Sequence, residues 1–88
     1  MRLSKEKRDK ISEQILSMLY HLFPQQRFTA EIAREIARDE EFIKTMMFEL
    51  QSKNLVTVIR KNPQGDAYSR RLRWRISNNA YDAYKKIT

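Results

Sequence analysis

Apolar positions along this chain follow first a helical period and later a period of two. Between residues 9 and 23, Ile11, Ile15, Leu16, Met18, Leu19, Leu22 and Phe23 recur at helical spacing. They predict a helix with one wide apolar stripe. Pro24 ends it, because the residue before a proline avoids the helical region. A second stripe, Ile32, Ala33, Ile36 and Ala37, predicts a helix opening at Thr29. A third, Ile43, Met47 and Leu50 with Met46 on its flank, predicts a helix opening after Asp39. Thr29 and Asp39 each carry a side-chain oxygen that can accept the orphan N–H groups of a first turn. Asn54 follows the third helix, at the place where a left-handed residue commonly closes a helix. Residues 1–8 are mostly charged and are expected to fray.

The period then changes. Residues 55–61, LVTVIRK, form a β-branched run that predicts a strand. Residues 62–66 predict a turn around Pro63 and Gly65. Residues 70–77 predict the returning strand, in which Leu72, Trp74 and Ile76 alternate with Arg71, Arg73 and Arg75. One face is core and the other a row of guanidinium groups. Ser77 reads as an N-cap, and residues 78–87 as a last helix with Ala80, Tyr81, Tyr84 and Ile87 at helical spacing.

The central stretch resembles the winged-helix family of helix-turn-helix domains, particularly the small MarR-like and archaeal or archaeal-viral regulators. The family's loose pattern is T-x-x-I-A-x-x-[IL], a short turn, V-x-x-x-L-x-x-L, then G-L-[IV]. Thr29, Ile32, Ala33 and Ile36 match its first part, Ile43, Met47 and Leu50 its second, and Asn54, Leu55 and Val56 its third. The resemblance implies an α+β, mainly α fold spanning residues 1–88 as a single domain. Its parts are a three-helix core, a short strand at Arg27 and Phe28 pairing with the hairpin, a β-hairpin wing and a C-terminal helix. It also implies a recognition helix at residues 40–53 and a homodimer built through the terminal helices. Winged helices bind DNA, RNA and other proteins, so the fold alone does not choose a job.

Charge narrows the choice. Of a net +7, residues 1–23 contribute +2 (five basic, three acidic), residues 24–54 contribute −1 (five basic, six acidic) and residues 55–88 contribute +6 (eight basic, two acidic). The excess therefore lies beyond the helix-turn-helix, as an electrostatic footprint for a polyanion. Absence of cysteine excludes disulfides, thiolate nucleophiles and Cys-ligated zinc. No apolar run is long enough to span a membrane, and the N-terminus lacks the apolar segment of a signal peptide, so a cytoplasmic address and no membrane partner are expected. His21 is the only histidine, no carboxylate is paired with a nucleophile, and no glycine loop cradles phosphate. No enzyme activity, metal or cofactor is expected.

Double-stranded DNA in transcriptional regulation is the favoured partner. Arg60, Lys61, Arg70, Arg71, Arg73 and Arg75 are expected to meet phosphates or the minor groove; the plainer reading is a solubilising sheet face. With Ile43, Met47 and Leu50 turned inward, Glu41, Lys44, Thr45, Phe48 and Ser52 point outward and Gln51 lies at the edge. Lys44, Thr45 and Gln51 are the candidates for limited base reading. Asp39, Glu40 and Glu41 suit the helix dipole but repel phosphate. With the outward Phe48, Glu40 and Glu41 mark the alternative reading, a protein-interaction winged helix in a larger assembly. RNA binding ranks third. Arg34 and Arg38 can touch the backbone or pair with Glu31 and Glu35. Trp74 belongs to the core, and Tyr68 near the turn is free to stack. Ile15, Leu19, Tyr81 and Tyr84 are the candidates for a dimer interface.

Overall fold

Ser4 opens the first helix: its hydroxyl accepts the Lys7 N–H at 3.3 Å. The computed structural model describes residues 4–60 and 72–87. Helix α1 runs Lys5–Leu22, so it begins earlier than expected, and residues 5–8 are helical instead of frayed. A long-range contact anchors that first turn. The Arg8 guanidinium pairs with the Glu49 carboxylate at 2.5 Å.

Strand β1 (Arg27–Phe28), helix α2 (Thr29–Ile36) and helix α3 (Glu40–Ser52) follow. Thr29 is not the cap of α2. Phe28 holds that position, and the Glu31 carboxylate reaches back to accept the Phe28 N–H at 2.8 Å. Asp39 does cap α3, accepting the Phe42 N–H at 3.1 Å.

Both helices of this pair end in the same way. Ala37 has φ 62° and Asn54 has φ 63°. Beyond each, the next N–H bonds five residues back: Arg38 to the Ala33 carbonyl at 2.9 Å and Leu55 to the Leu50 carbonyl at 3.0 Å. These are Schellman closures, which satisfy helix-end carbonyls through a left-handed residue. Asn54 was legible as one. Ala37 was expected on the apolar face of α2 but stands exposed outside the helix.

Strands β2 (Val56–Ile59) and β3 (Arg73–Ile76) precede helix α4 (Asn78–Ile87). The sheet is antiparallel in the order β1-β3-β2, with Arg27 opposite Trp74, Phe28 opposite Arg73, and Val58 opposite Trp74 from the other side. The expected minimal strand therefore exists and pairs with the hairpin. The expected turn at residues 62–66 and Tyr68 lie outside the described residues. Ser77 closes the base of the hairpin: its hydroxyl donates to the Asn54 carbonyl at 2.8 Å and accepts the Ala80 N–H at 3.0 Å.

One core joins all the layers. Ile11, Ile15, Leu16 and Leu19 of α1 meet Ile32 and Ala33 of α2 and Ile43, Met46, Met47 and Leu50 of α3. Val56, Leu72, Trp74, Ile76 and Ala80 complete it. Trp74 is fully buried, and its indole N–H donates to the Thr29 hydroxyl at 2.8 Å. The hydroxyl proton then faces the Leu72 carbonyl at 3.5 Å, a long bond. That bond network explains why Thr29 does not cap its helix: its oxygen serves the core.

Candidate nucleic-acid interface

The buried positions of α3 leave Glu40, Glu41, Lys44, Thr45, Glu49 and Ser52 exposed. Lys44 and Thr45 therefore lie on the outward face, as expected. The Thr45 hydroxyl donates to the Glu41 carbonyl at 3.1 Å, so its remaining lone pairs are what it offers outward. Gln51 is half-buried on the flank. Glu40 and Glu41 are exposed in the first turn, beside the positive end of the helix dipole.

Phe48 departs from the expectation of an outward aromatic. It is half-buried, with its ring edge-on to Trp74 at a centroid distance of 5.3 Å and 84° between planes. The helical wheel placed it opposite the core, but the sheet comes up along that flank of α3 and covers it. Phe48 is therefore a partly covered ring at the seam between α3 and the sheet and not a freely exposed aromatic.

The cations of the hairpin do not form one free row. Arg60, just beyond β2, is exposed, and its guanidinium carbon lies 5.9 Å from the Phe48 ring centroid. Arg73 is half-buried, with its guanidinium 6.0 Å from the Phe28 ring centroid and its Nε atom buried. Arg75 is half-buried at the hairpin base. Its Nη1 donates to the Ile76 carbonyl at 2.9 Å and to Asn78 Oδ1 at 3.2 Å, and it lies 6.0 Å from the Phe23 ring centroid. The alternation rightly put Arg73 and Arg75 opposite Trp74, but Phe28 and Phe23 cover that face in part. Lys61, Arg70 and Arg71 lie outside the described residues.

The dimer candidates separate as well. Ile15 and Leu19 are 0 % exposed within the single chain, so neither presents a surface to a second copy. The wide stripe on α1 serves the core. Tyr81 and Tyr84 are half-buried in an aromatic stack. Tyr81 stacks on Phe23 at 3.9 Å, and Tyr20 meets Tyr81 at 5.1 Å and Tyr84 at 5.6 Å. Burial, with a smaller contribution from the Glu13 carboxylate, raises the Tyr84 phenol above its ordinary pKa. Ile87 at the end of α4 is 79 % exposed.

Sequence reasoning missed Arg8. Besides its bond to Glu49, Arg8 lies 6.0 Å from the Phe42 ring centroid, so α1 brings a cation to the flank of α3 opposite the hairpin. Nothing in the local sequence pairs residues 8 and 49. An open groove also runs between α1 and α2, lined by Lys7, Lys10, Arg34 and Arg38 with Glu31 and Glu35. Among the described residues, no group of three or more His, Asp or Glu could hold a metal ion, and no helix is long and apolar enough to cross a membrane.

No protein-family model and no curated protein matches the chain. Solved structures do. A mutant of ZitR from Lactococcus lactis in apo form superposes with a TM-score of 0.71 at 21% identity, covering 93% of this chain and 57% of that one. ZitR is described as a zinc-responsive MarR family member. A MepR mutant from a multidrug resistant S. aureus clinical isolate gives 0.72 at 18% identity, covering 90% of this chain and 54% of that one. A second S. aureus MepR mutant, bound to an oligodeoxyribonucleotide, gives 0.64 at 20% identity, covering 94% and 66%. This chain thus has a MarR-like winged-helix fold and spans between about half and two-thirds of the length of those chains.

Proposed function

We propose that the chain binds double-stranded DNA as a transcriptional regulator of the winged helix-turn-helix kind. The observation that carries this reading is the open outward face of α3, with Lys44 and Thr45 on it and Arg60 at its edge, at the root of an arginine-rich hairpin. Arg60, Lys61, Arg70 and Arg71 engage phosphates or the minor groove. Arg73 supports them from the sheet, while Arg75 chiefly ties the hairpin to α4. Lys44 and Thr45 supply base contacts, with Gln51 at the margin. The S. aureus MepR structure with a bound oligodeoxyribonucleotide supports the reading by likeness of fold. Residues 1–88 form one winged-helix domain, and the protein works in the cytoplasm. It pairs as a homodimer through the aromatic end of α1 and α4, where Tyr81, Tyr84 and the exposed Ile87 lie.

The second reading is a protein-interaction winged helix, favoured by the carboxylates of Glu40 and Glu41 at the exposed start of α3. Substitution separates the two. Changing Arg60, Lys61, Arg70 and Arg71 together to Ala abolishes duplex binding in the first reading, and Glu40→Gln with Glu41→Gln strengthens it by removing repulsion. If the acidic pair meets a basic partner, duplex binding is negligible from the outset and loss of the carboxylates weakens the partner complex.

A further inference from the structure

Lys44, Phe48 and Ser52 form one i, i+4, i+8 row on α3, and Lys44 and Ser52 are exposed. Phe48 in the middle contributes neither a charge nor a hydrogen bond, and it is half-buried at the edge of the face that the proposed function assigns to DNA, where α3 meets the sheet. Its ring is fixed from behind by Trp74, which is fully buried and hydrogen-bonded to Thr29. In front of it, the exposed Arg60 places its guanidinium 5.9 Å from the ring centroid. The arrangement runs from the core outward as Thr29, Trp74, Phe48, Arg60, with each contact restricting the next.

We propose that Phe48 is a positioning residue that presents Arg60 to a backbone phosphate at the seam between α3 and the hairpin, an inference that rests on the DNA-binding reading. A cation over an aromatic face is attracted by the ring quadrupole. The planar guanidinium keeps its N–H edge free for an oxyanion while its face is engaged. Rotamer freedom is thereby given up before the duplex arrives and not on contact, which is how preorganisation raises affinity. The half-buried aromatic between the exposed Lys44 and Ser52 thus acts through a cation brought from another element.

The test compares wild type, Phe48→Leu, Phe48→Tyr, Arg60→Gln and the double variant Phe48→Leu/Arg60→Gln on a labelled random-sequence duplex. Proton NMR of the free proteins accompanies it. Arg60→Gln should lower the steepness of the log–log salt dependence by about 0.9, the loss of one phosphate. Phe48→Leu should weaken binding roughly two- to fivefold, the range of an exposed cation–π contact, and cost nothing further once Arg60 is Gln. Phe48→Tyr, which keeps the ring, should bind as wild type. The Arg60 side-chain methylene protons should show an upfield ring-current shift that Phe48→Leu abolishes. Equal losses from Phe48→Leu with and without Arg60, or no loss, overturn the proposal. So does absence of the ring-current shift in wild type. If wild type binds no duplex at low salt, the DNA reading and this inference both fall; a persisting shift then identifies the failed link as DNA binding and not the contact.

Discussion

The indole N–H of Trp74 and the hydroxyl of Thr29, 45 residues apart, meet at 2.8 Å in the buried centre of the fold. This bond ties the returning strand of the hairpin to the first residue of α2. Thr29→Val keeps the shape of the side chain but leaves a buried donor unsatisfied. It should lower stability by about 1–3 kcal/mol, measured by chemical denaturation. Thr29→Val and Trp74→Phe together should cost less than the sum of the two, because the double variant leaves no orphaned indole. Additive losses would show that the bond contributes little.

Ala37 closes α2 with φ 62°, a conformation in which the Cβ of an L-residue costs about 1–2 kcal/mol. Its side chain is exposed and packs against nothing in the core. Ala37→Gly should therefore raise the thermal midpoint, with a net gain near 1 kcal/mol after the added freedom of the unfolded chain is subtracted. Asn54→Ala, at the matching end of α3, should lower it.

Ser77 links three segments: it caps α4 and donates to the Asn54 carbonyl at the end of α3. Ser77→Ala should cost about 1 kcal/mol for the cap alone, and more where the Asn54 carbonyl loses its donor. Amide exchange should rise first at Ala80 and Tyr81, whose N–H groups bond to the Ser77 hydroxyl and carbonyl.

The Tyr84 phenol titrates above its ordinary value of 10.0 in the folded chain, through burial first and Glu13 second. A raised folded pKa means that the folded state holds its proton where the unfolded state has lost it. The stabilising difference is fully present below pH 10 and is lost as pH rises through the folded pKa. Stability should fall above about pH 10 less steeply in Tyr84→Phe than in wild type. Phenolate absorbance should show Tyr84 titrating closer to normal in Glu13→Gln. An identical alkaline stability profile in Tyr84→Phe would remove this account.

Much of the fold could be read from the chain because its signals are local. Asp39, Asn54 and, in its role as cap of α4, Ser77 act within a few residues of their positions, and the alternation from Leu72 to Ile76 correctly chose the buried face. What stayed illegible depended on distant partners. Thr29 had the type and place of a cap, but Trp74 claims its oxygen. Phe48 sits on the outward side of a helical wheel, yet a sheet that the wheel does not contain covers it. Ile15 and Leu19 belong to a stripe wide enough for two contacts, and the core takes both residues. Ala37 carries no glycine-like signal, so its left-handed backbone had no mark in the sequence. For the candidate interface, the exposed position of Lys44 and Thr45 on α3 was readable. That Arg75 is tied down at Asn78 while Arg60 stands over Phe48 was not.

The most direct test of the central claim is fluorescence anisotropy of a labelled random-sequence duplex, titrated with the full chain at several salt concentrations. Micromolar or tighter binding is expected, with log affinity falling against log salt at a slope of roughly −4 to −5 if about five phosphates are neutralised. Absence of binding at low salt, or binding indifferent to salt, would contradict DNA recognition by the α3 face and the cationic hairpin.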